Sequence, residues 1–295
     1  MQQKQPQMKA KRSSKVQRLS LDRISTLPQT IIETILCLLP IEEAARTSIL
    51  SREWRFKWTT IPKLVFSYST VERPSSENRL SLIDWDKTHD SWRCKLFYAI
   101  HQVLLLHQGP IHEFTLDADD NFFEIDQIIL HLSRNHTLKK LTLGFCETGV
   151  YKLPSSVFSL HHLMDLDLEW CDIDHKQIFN GSFGSLTSLS LREIRGYEDG
   201  DETEPDKLEE QSRILEEYSD VWLEHLKELE IKLFGNRKPE LEFMKFILAR
   251  SPNLKKVELQ VHMYDKKEEL EMTKTLLRTP RASPVEIIVH NSYQV

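Results

Sequence analysis

The pattern Leu138-x-x-Leu141-x-Leu143-x-x-Cys146 returns 25 residues later as Leu163-x-x-Leu166-x-Leu168-x-x-Cys171, and this repetition constrains the chain more than any other feature. A repeat of this length and spacing is the mark of a leucine-rich solenoid, in which each unit buries its apolar side chains only by stacking on its neighbours. Four further segments fit the template: Ile111-x-x-Phe114-x-Leu116, Leu186-x-x-Leu189-x-Leu191, Leu226-x-x-Leu229-x-Ile231 and Leu254-x-x-Val257-x-Leu259. Successive fourth positions lie 27, 25, 23, 40 and 28 residues apart, so one interval carries an insertion.

In such a repeat the Leu-x-Leu core forms a short strand whose alternate side chains point inward. The strands pair in parallel, giving an α/β fold with a parallel sheet on the concave face and about six or seven rungs. Between them, residues 126–132 and 241–249 have helical apolar spacing, whereas residues 153–158 read as a short turn or 3₁₀ piece. The residues between inward leucines face solvent. Thr115, Thr142, Asp167, Ser190, Lys232 and Glu258 are therefore expected to line the sheet as neighbours and to form a candidate target-binding array.

Upstream of the repeats the pattern changes. Ile31, Ile32, Ile35, Leu36 and Leu39 follow helical intervals after Leu27-Pro28, with Ser25 or Thr26 as candidate N-cap and Pro40 as the stop. A second short helix is expected over residues 41–48 and a third over residues 51–58, where Trp54 and Trp58 stand four apart. Three helices this short supply more apolar positions than they can turn inward. The surplus either covers the downstream domain or faces another protein, with Trp54 as a candidate anchor. A helix over residues 92–106, ending near Gly109-Pro110, is expected to cap the first repeat, with Trp85 and Trp92 packed nearby.

The resulting organisation is a basic tail over 1–20, a helical domain over 21–62, a linker and cap over 63–110, repeats over 111–236 with an acidic insertion near 195–220, and terminal repeats over 237–295. The tail carries Lys4, Lys9, Lys11, Arg12, Lys15 and Arg18 without an acidic residue, and the insertion carries a dense acidic run over residues 198–210. Both compositions favour solvated chain over packed structure.

Composition excludes several functions. A formal net charge of −6 lacks the basic excess of a nucleic-acid binder. No stretch approaches a membrane-spanning length, and four cysteines without C-x-x-C spacing point to a reducing compartment rather than to zinc or disulfides. Cys146 and Cys171 hold equivalent places and read as small buried side chains. His161 and His162 lie beside Asp165 and Asp167, but alternate strand positions face opposite ways, so no ion site follows; His101, His107 and His112 lack matched ligands. Nucleotide, zinc-protease and serine-hydrolase motifs are absent. No cofactor, metal or catalytic residue is expected.

The segment from Asp22-Arg23-Ile24-Ser25-Thr26-Leu27-Pro28 through Ala44-Ala45-Arg46-Thr47-Ser48-Ile49-Leu50-Ser51-Arg52-Glu53-Trp54-Arg55-x-x-Trp58 resembles the plant F-box motif. Residues 241–249, Ser251-Pro252-Asn253-Leu254 and Leu276-Leu277-Arg278-Thr279-Pro280-Arg281-Ala282-Ser283-Pro284 resemble the carboxy-terminal FBD region of plant F-box proteins with leucine-rich repeats. The resemblance covers nearly the whole chain from residue 21. It implies a non-catalytic subunit of a Skp-cullin-F-box ubiquitin ligase that binds a Skp-type adaptor directly, a cullin indirectly and an unidentified target through the repeats. It carries over Leu27, Pro28, Ile31, Leu36, Leu39, Pro40, Leu50, Ser51 and Trp54 as adaptor-binding positions, some of them core. Glu53, Glu42-Glu43 and the acidic insertion depart from the pattern. The implied location is the nucleus, the cytoplasm or both, away from membranes and nucleic acid. The alternative is a scaffold or regulatory interaction module outside any ligase.

Overall fold

A computed structural model describes residues 24–67, 82–118, 123–134, 136–145, 151–172, 184–193, 222–234, 238–261 and 266–291. The basic tail, the acidic run, Cys146 and the side chains of Trp85 and Trp92 lie outside the described residues.

The chain opens with α1 (Gln29–Leu36) and α2 (Ile41–Arg46), followed by a 3₁₀ turn over Thr47–Ile49. Pro28 and Pro40 hold the two N-cap positions, where a missing N–H costs nothing. Neither Ser25 nor Thr26 caps α1, because the helix starts at Gln29 and leaves both ahead of the N-cap position held by Pro28. The expected third helix is also not α-helical: residues 52–56 are turns and Lys57–Thr60 is a 3₁₀ segment. Its backbone closes three residues back, Trp54 N to Ser51 O, Lys57 N to Trp54 O and Thr59 N to Phe56 O, each at 3.2 Å. This tighter winding lets both Trp54 and Trp58 enter the core.

Eight strands then form one all-parallel sheet in chain order: β1 (Lys63–Ser67), β2 (Glu113–Asp117), β3 (Lys140–Gly144), β5 (Asp165–Glu169), β7 (Ser188–Arg192), β8 (Glu228–Phe234), β9 (Lys256–Val261) and β10 (Glu286–Asn291). The short β4 (Tyr151–Lys152) and β6 (Cys171–Asp172) pair separately. All six strands expected from the repeats are present. Two more, β1 and β10, extend the sheet at its ends.

The strands stay aligned because a main-chain ladder enters each of them. His112 N donates to Pro62 O, Lys139 N to His112 O, Met164 N to Lys139 O, Thr187 N to Met164 O, Lys227 N to Thr187 O and Lys255 N to Lys227 O, all within 2.7–2.8 Å. Inward rows follow from the register: Leu64, Phe114, Leu141, Leu166, Leu189, Leu229 and Val257 in one, Phe66, Leu116, Leu143, Leu168, Leu191, Ile231 and Leu259 in the next. All are buried, and the cluster they form is continuous from Ile32 to Leu276.

Helices α3 (Leu82–Leu106), α4 (Phe123–Arg134), α5 (Lys238–Arg250) and α6 (Lys266–Arg278) lie between strands. A 3₁₀ segment at Ser155–Ser159 matches the short turn expected there. Tyr151 on β4 donates its hydroxyl to Asp126 on α4, and burial together with that carboxylate pushes the phenol well above its usual range.

Candidate functional site

Two surfaces stand out. The first belongs to α1, α2 and the turns around them. Five apolar residues of the α1 segment span more of the helix surface than one packing face can cover. Ile32 and Leu36 turn into the core, leaving Ile31, Ile35 and Leu39 on the outside. Leu38, Ile49, Leu50 and Phe56 extend this exposed set, with Ile49 and Leu38 at 85% and 80% of full exposure. Eight of the sixteen exposed large apolar side chains among the described residues fall within residues 24–56, so the excess is local.

The frame beneath that surface is fixed by polar contacts. Trp54 donates its Nε1–H to Ser25 Oγ at 2.6 Å, tying the first turn to the last. Lys57 Nζ donates to Gln29 Oε1 at 2.6 Å, and Thr60 Oγ1 donates to Glu33 Oε1 at 2.6 Å. The helical unit is also tied to the connection between α3 and β2: His107 Nε2–H donates to Ile61 O at 2.9 Å, and Gln108 N donates to Thr59 O at 2.8 Å.

Of the positions expected to meet an adaptor, Pro28, Ile31, Leu39, Pro40, Leu50 and Ser51 are exposed and Leu27 is half-buried. Leu36 and Trp54 are not available to a partner. They are 1% and 6% exposed, because each supplies the apolar packing that the short helices need. Ile35, Leu38, Ile49 and Phe56 were the exposed members missed, although helical spacing from Ile31 to Ile35 and Leu38 could have found the first two.

The second surface is the outward side of the sheet. Its central row reads Val65, Thr115, Thr142, Asp167, Ser190, Glu230, Glu258 and Ile288. Thr115, Thr142, Asp167, Ser190 and Glu258 thus stand where the repeats place them. Lys232 does not join their row. It lies two residues along the longer strand β8, beside Arg192 and Gln260, and Glu230 stands between Ser190 and Glu258 instead. Residues two apart share a face but not a row.

Cross-strand pairs organise this face. Ser67 Oγ donates to Asp117 Oδ2 at 2.7 Å, Arg192 Nη1 meets Glu169 Oε1 at 3.0 Å, and Ser190 Oγ donates to Glu230 Oε2 at 3.3 Å. Lys256 and Glu258 pair along β9, which raises the Lys256 ammonium and lowers the Glu258 carboxyl from their ordinary values. His161 and His162 sit in an exposed turn before β5. Among the described residues no three His, Cys, Asp or Glu side chains converge as metal ligands, and no helix is long and apolar enough to cross a membrane. Cys171 is fully buried with its thiol toward Glu169 O, whereas Cys94 is exposed and Cys37 half-buried.

Comparison with known families matches residues 24–66 to the F-box domain and residues 222–259 to the FBD. The chain carries an F-box domain and an FBD, and it is similar to plant F-box/FBD/LRR-repeat proteins. An F-box/FBD/LRR-repeat protein of Arabidopsis thaliana is 42% identical over 177 residues, covering 59% of this chain and 39% of the relative. A second Arabidopsis thaliana protein of that description is 27% identical over 183 residues, covering 60% and 37%. An F-box/LRR-repeat protein of the same organism is 28% identical over 171 residues, covering 55% and 30%. The chain spans under two fifths of the length of these relatives. The exposed apolar set lies within the F-box match, which ends inside β1, and the FBD match takes in β8, α5 and β9.

Proposed function

We propose that this chain is the target-recognition subunit of a Skp-cullin-F-box ubiquitin ligase. The F-box grips a Skp-type adaptor, the cullin is reached through that adaptor, and the outward sheet face holds the protein to be modified. On this reading the two helices and the following turns serve as the three-helix F-box, and the parallel strands are the rungs of a leucine-rich solenoid. The observation that carries the proposal is the concentration of exposed apolar side chains within the F-box match.

The mechanism is proximity. A chain that holds target and ligase together raises the local concentration of the target beside a ubiquitin donor, and it needs no nucleophile of its own. The contact surface consists of Pro28, Ile31, Leu39, Pro40, Leu50 and Ser51 with Ile35, Leu38, Ile49 and Phe56, while Leu36 and Trp54 hold its shape. Thr115, Thr142, Asp167, Ser190, Glu230 and Glu258, flanked by Lys232, form the target side. The complex works in the nucleus, the cytoplasm or both.

Co-expression of the 295-residue chain with a Skp-type adaptor tests this directly. The two elute together at equal stoichiometry, and the double variant Ile31→Asp, Leu50→Asp lowers the association at least about tenfold, the equivalent of about 1.4 kcal/mol. A folded wild-type chain that elutes alone overturns the proposal.

A further inference from the structure

The two edges of the main sheet are finished differently. At β1 the inward residues Leu64 and Phe66 are fully buried, and α2 packs against the strand. The Lys63 main chain there hydrogen-bonds the Cys37 thiol, whose pKa burial nevertheless holds above its ordinary value. At β10 the equivalent residues Ile287 and Val289 are only half-buried, although their β9 neighbours Val257 and Leu259 are fully buried. The crossover helix α6 likewise leaves Leu270 and Leu277 54% and 63% exposed, one heptad apart. Among the described residues β10 pairs only with β9. An apolar edge strand of this kind invites another strand, and a stack of repeats needs its last apolar surface covered.

The backbone specifies what can pair there. Glu286 N donates to Lys255 O at 3.0 Å, so the main-chain groups of Glu286, Ile288 and His290 point toward β9. Alternation then sends those of Ile287 and Val289 to the free side. An antiparallel newcomer must match these with outward-pointing groups of its own, and it must keep apolar side chains on the core side. The β10 sequence meets both demands with a second copy of itself turned about Ile288. Ile287 of each copy then opposes Val289 of the other, Ile288 meets Ile288 on the outer face, and Glu286 faces His290 in both directions. Glu286 would thus lie between its in-sheet neighbour Lys256 and an imidazole.

We propose that two copies of this chain associate edge to edge through β10, antiparallel about Ile288, in an isologous contact that joins the two sheets. One strand pair and its flanking leucines bury less than a standard interface, so association falls in the micromolar range.

Sedimentation equilibrium of the full chain at about 1–200 μM tests it. The mass rises from monomer toward dimer across this range. Ile288→Lys sets like charges together at the two-fold, and Val289→Pro removes a main-chain donor from the free edge; each shifts the midpoint at least about tenfold upward while the circular dichroism spectrum is retained. His290→Glu weakens association, and the double variant Glu286→Lys, His290→Glu restores it by reversing the pair. The charge reversal decides the matter should either β10 variant misfold. A wild-type chain that stays monomeric throughout, or a dimer indifferent to all these changes, overturns the proposal.

Discussion

Gly109 passes so close to Thr60 that a Cβ built on it would lie 2.8 Å from Thr60 O and 2.9 Å from Thr60 Cα. Both atoms belong to main chain and cannot swing aside. Gly109 follows α3, and Thr60 ends the last turn of the F-box helices, so the close approach is where that unit sits against the connection from α3 to β2. Gly109→Ala is therefore expected to destabilise the protein by about 1–3 kcal/mol, measured by urea denaturation, as the seam opens to admit a methyl group. Gly184→Ala, with nothing within 4 Å of its Cβ, serves as the control and changes stability by under about 0.5 kcal/mol.

Neighbouring positions on α1 separate packing from binding. Leu36 is 1% exposed and Ile35 beside it is 39% exposed. Leu36→Ala should cost about 2–5 kcal/mol of stability through the lost transfer energy and the cavity left behind. Ile35→Ser should cost far less stability and, on the proposed function, weaken the Skp-type adaptor contact instead. Thermal melts and adaptor binding measured on the same two proteins check the contrast. Equal destabilisation by both would mean that the outer stripe of α1 is core.

The pH response has an identifiable contributor in the same seam. Burial lowers the pKa of His107 below its ordinary value, against the opposing effect of main-chain hydrogen bonds at Ile61 and Gly109. The native state therefore keeps this ring neutral at a pH where the unfolded chain already takes up a proton. Stability from His107 is present in full above the unfolded value of 6.5 and is lost as pH falls through the lower native one. Thermal midpoints recorded from pH 8 down to pH 5 should fall more steeply for the wild type than for His107→Gln, which keeps an N–H donor toward Ile61 but does not titrate in this range.

The strands of the repeats were legible because their period-two alternation stands between evenly spaced leucines. The two outer strands were not. Leu64-Val65-Phe66 and Ile287-Ile288-Val289 are continuous apolar runs, which periodicity alone does not assign to a strand; Ile61 does hold the template's leading position before Leu64, as Ile111 does before Phe114, but Pro284 stands there before Ile287. For the helical unit, spacing revealed that apolar residues were in surplus but not which of them faced outward. Leu36 and Ile35 carry the same local signal, and only the placement of Trp54, Trp58 and Ile61 decides between them. Lys232 lost its row for another reason: it follows Ile231, whereas the spacing Leu226-x-x-Leu229-x-Ile231 itself puts Glu230 between the inward residues, and β8 then runs two residues beyond the five-residue strand before it.

That longer strand belongs to a feature shared by three rungs. Trp170, Glu193 and Leu233, with φ of 56°, 48° and 58°, each follow one of the register neighbours Glu169, Arg192 and Lys232. The chain thus passes through the left-handed region at one level of successive rungs, just past β5 and β7 and at the bulge inside β8, which costs a residue with a Cβ on the order of 1 kcal/mol. What the side chain returns differs from site to site. Trp170 packs against the core, whereas Glu193 is a half-buried acid. Trp170→Gly should accordingly lower stability by about 2–4 kcal/mol as the indole is lost, and Glu193→Gly, which relieves the same backbone strain at a half-exposed side chain, should lower it by less than about half as much. Denaturation of both variants reads the two terms separately. If Glu193→Gly proves as destabilising as the tryptophan change, then the left-handed exit is held by the glutamate side chain rather than imposed by the stacking of rungs.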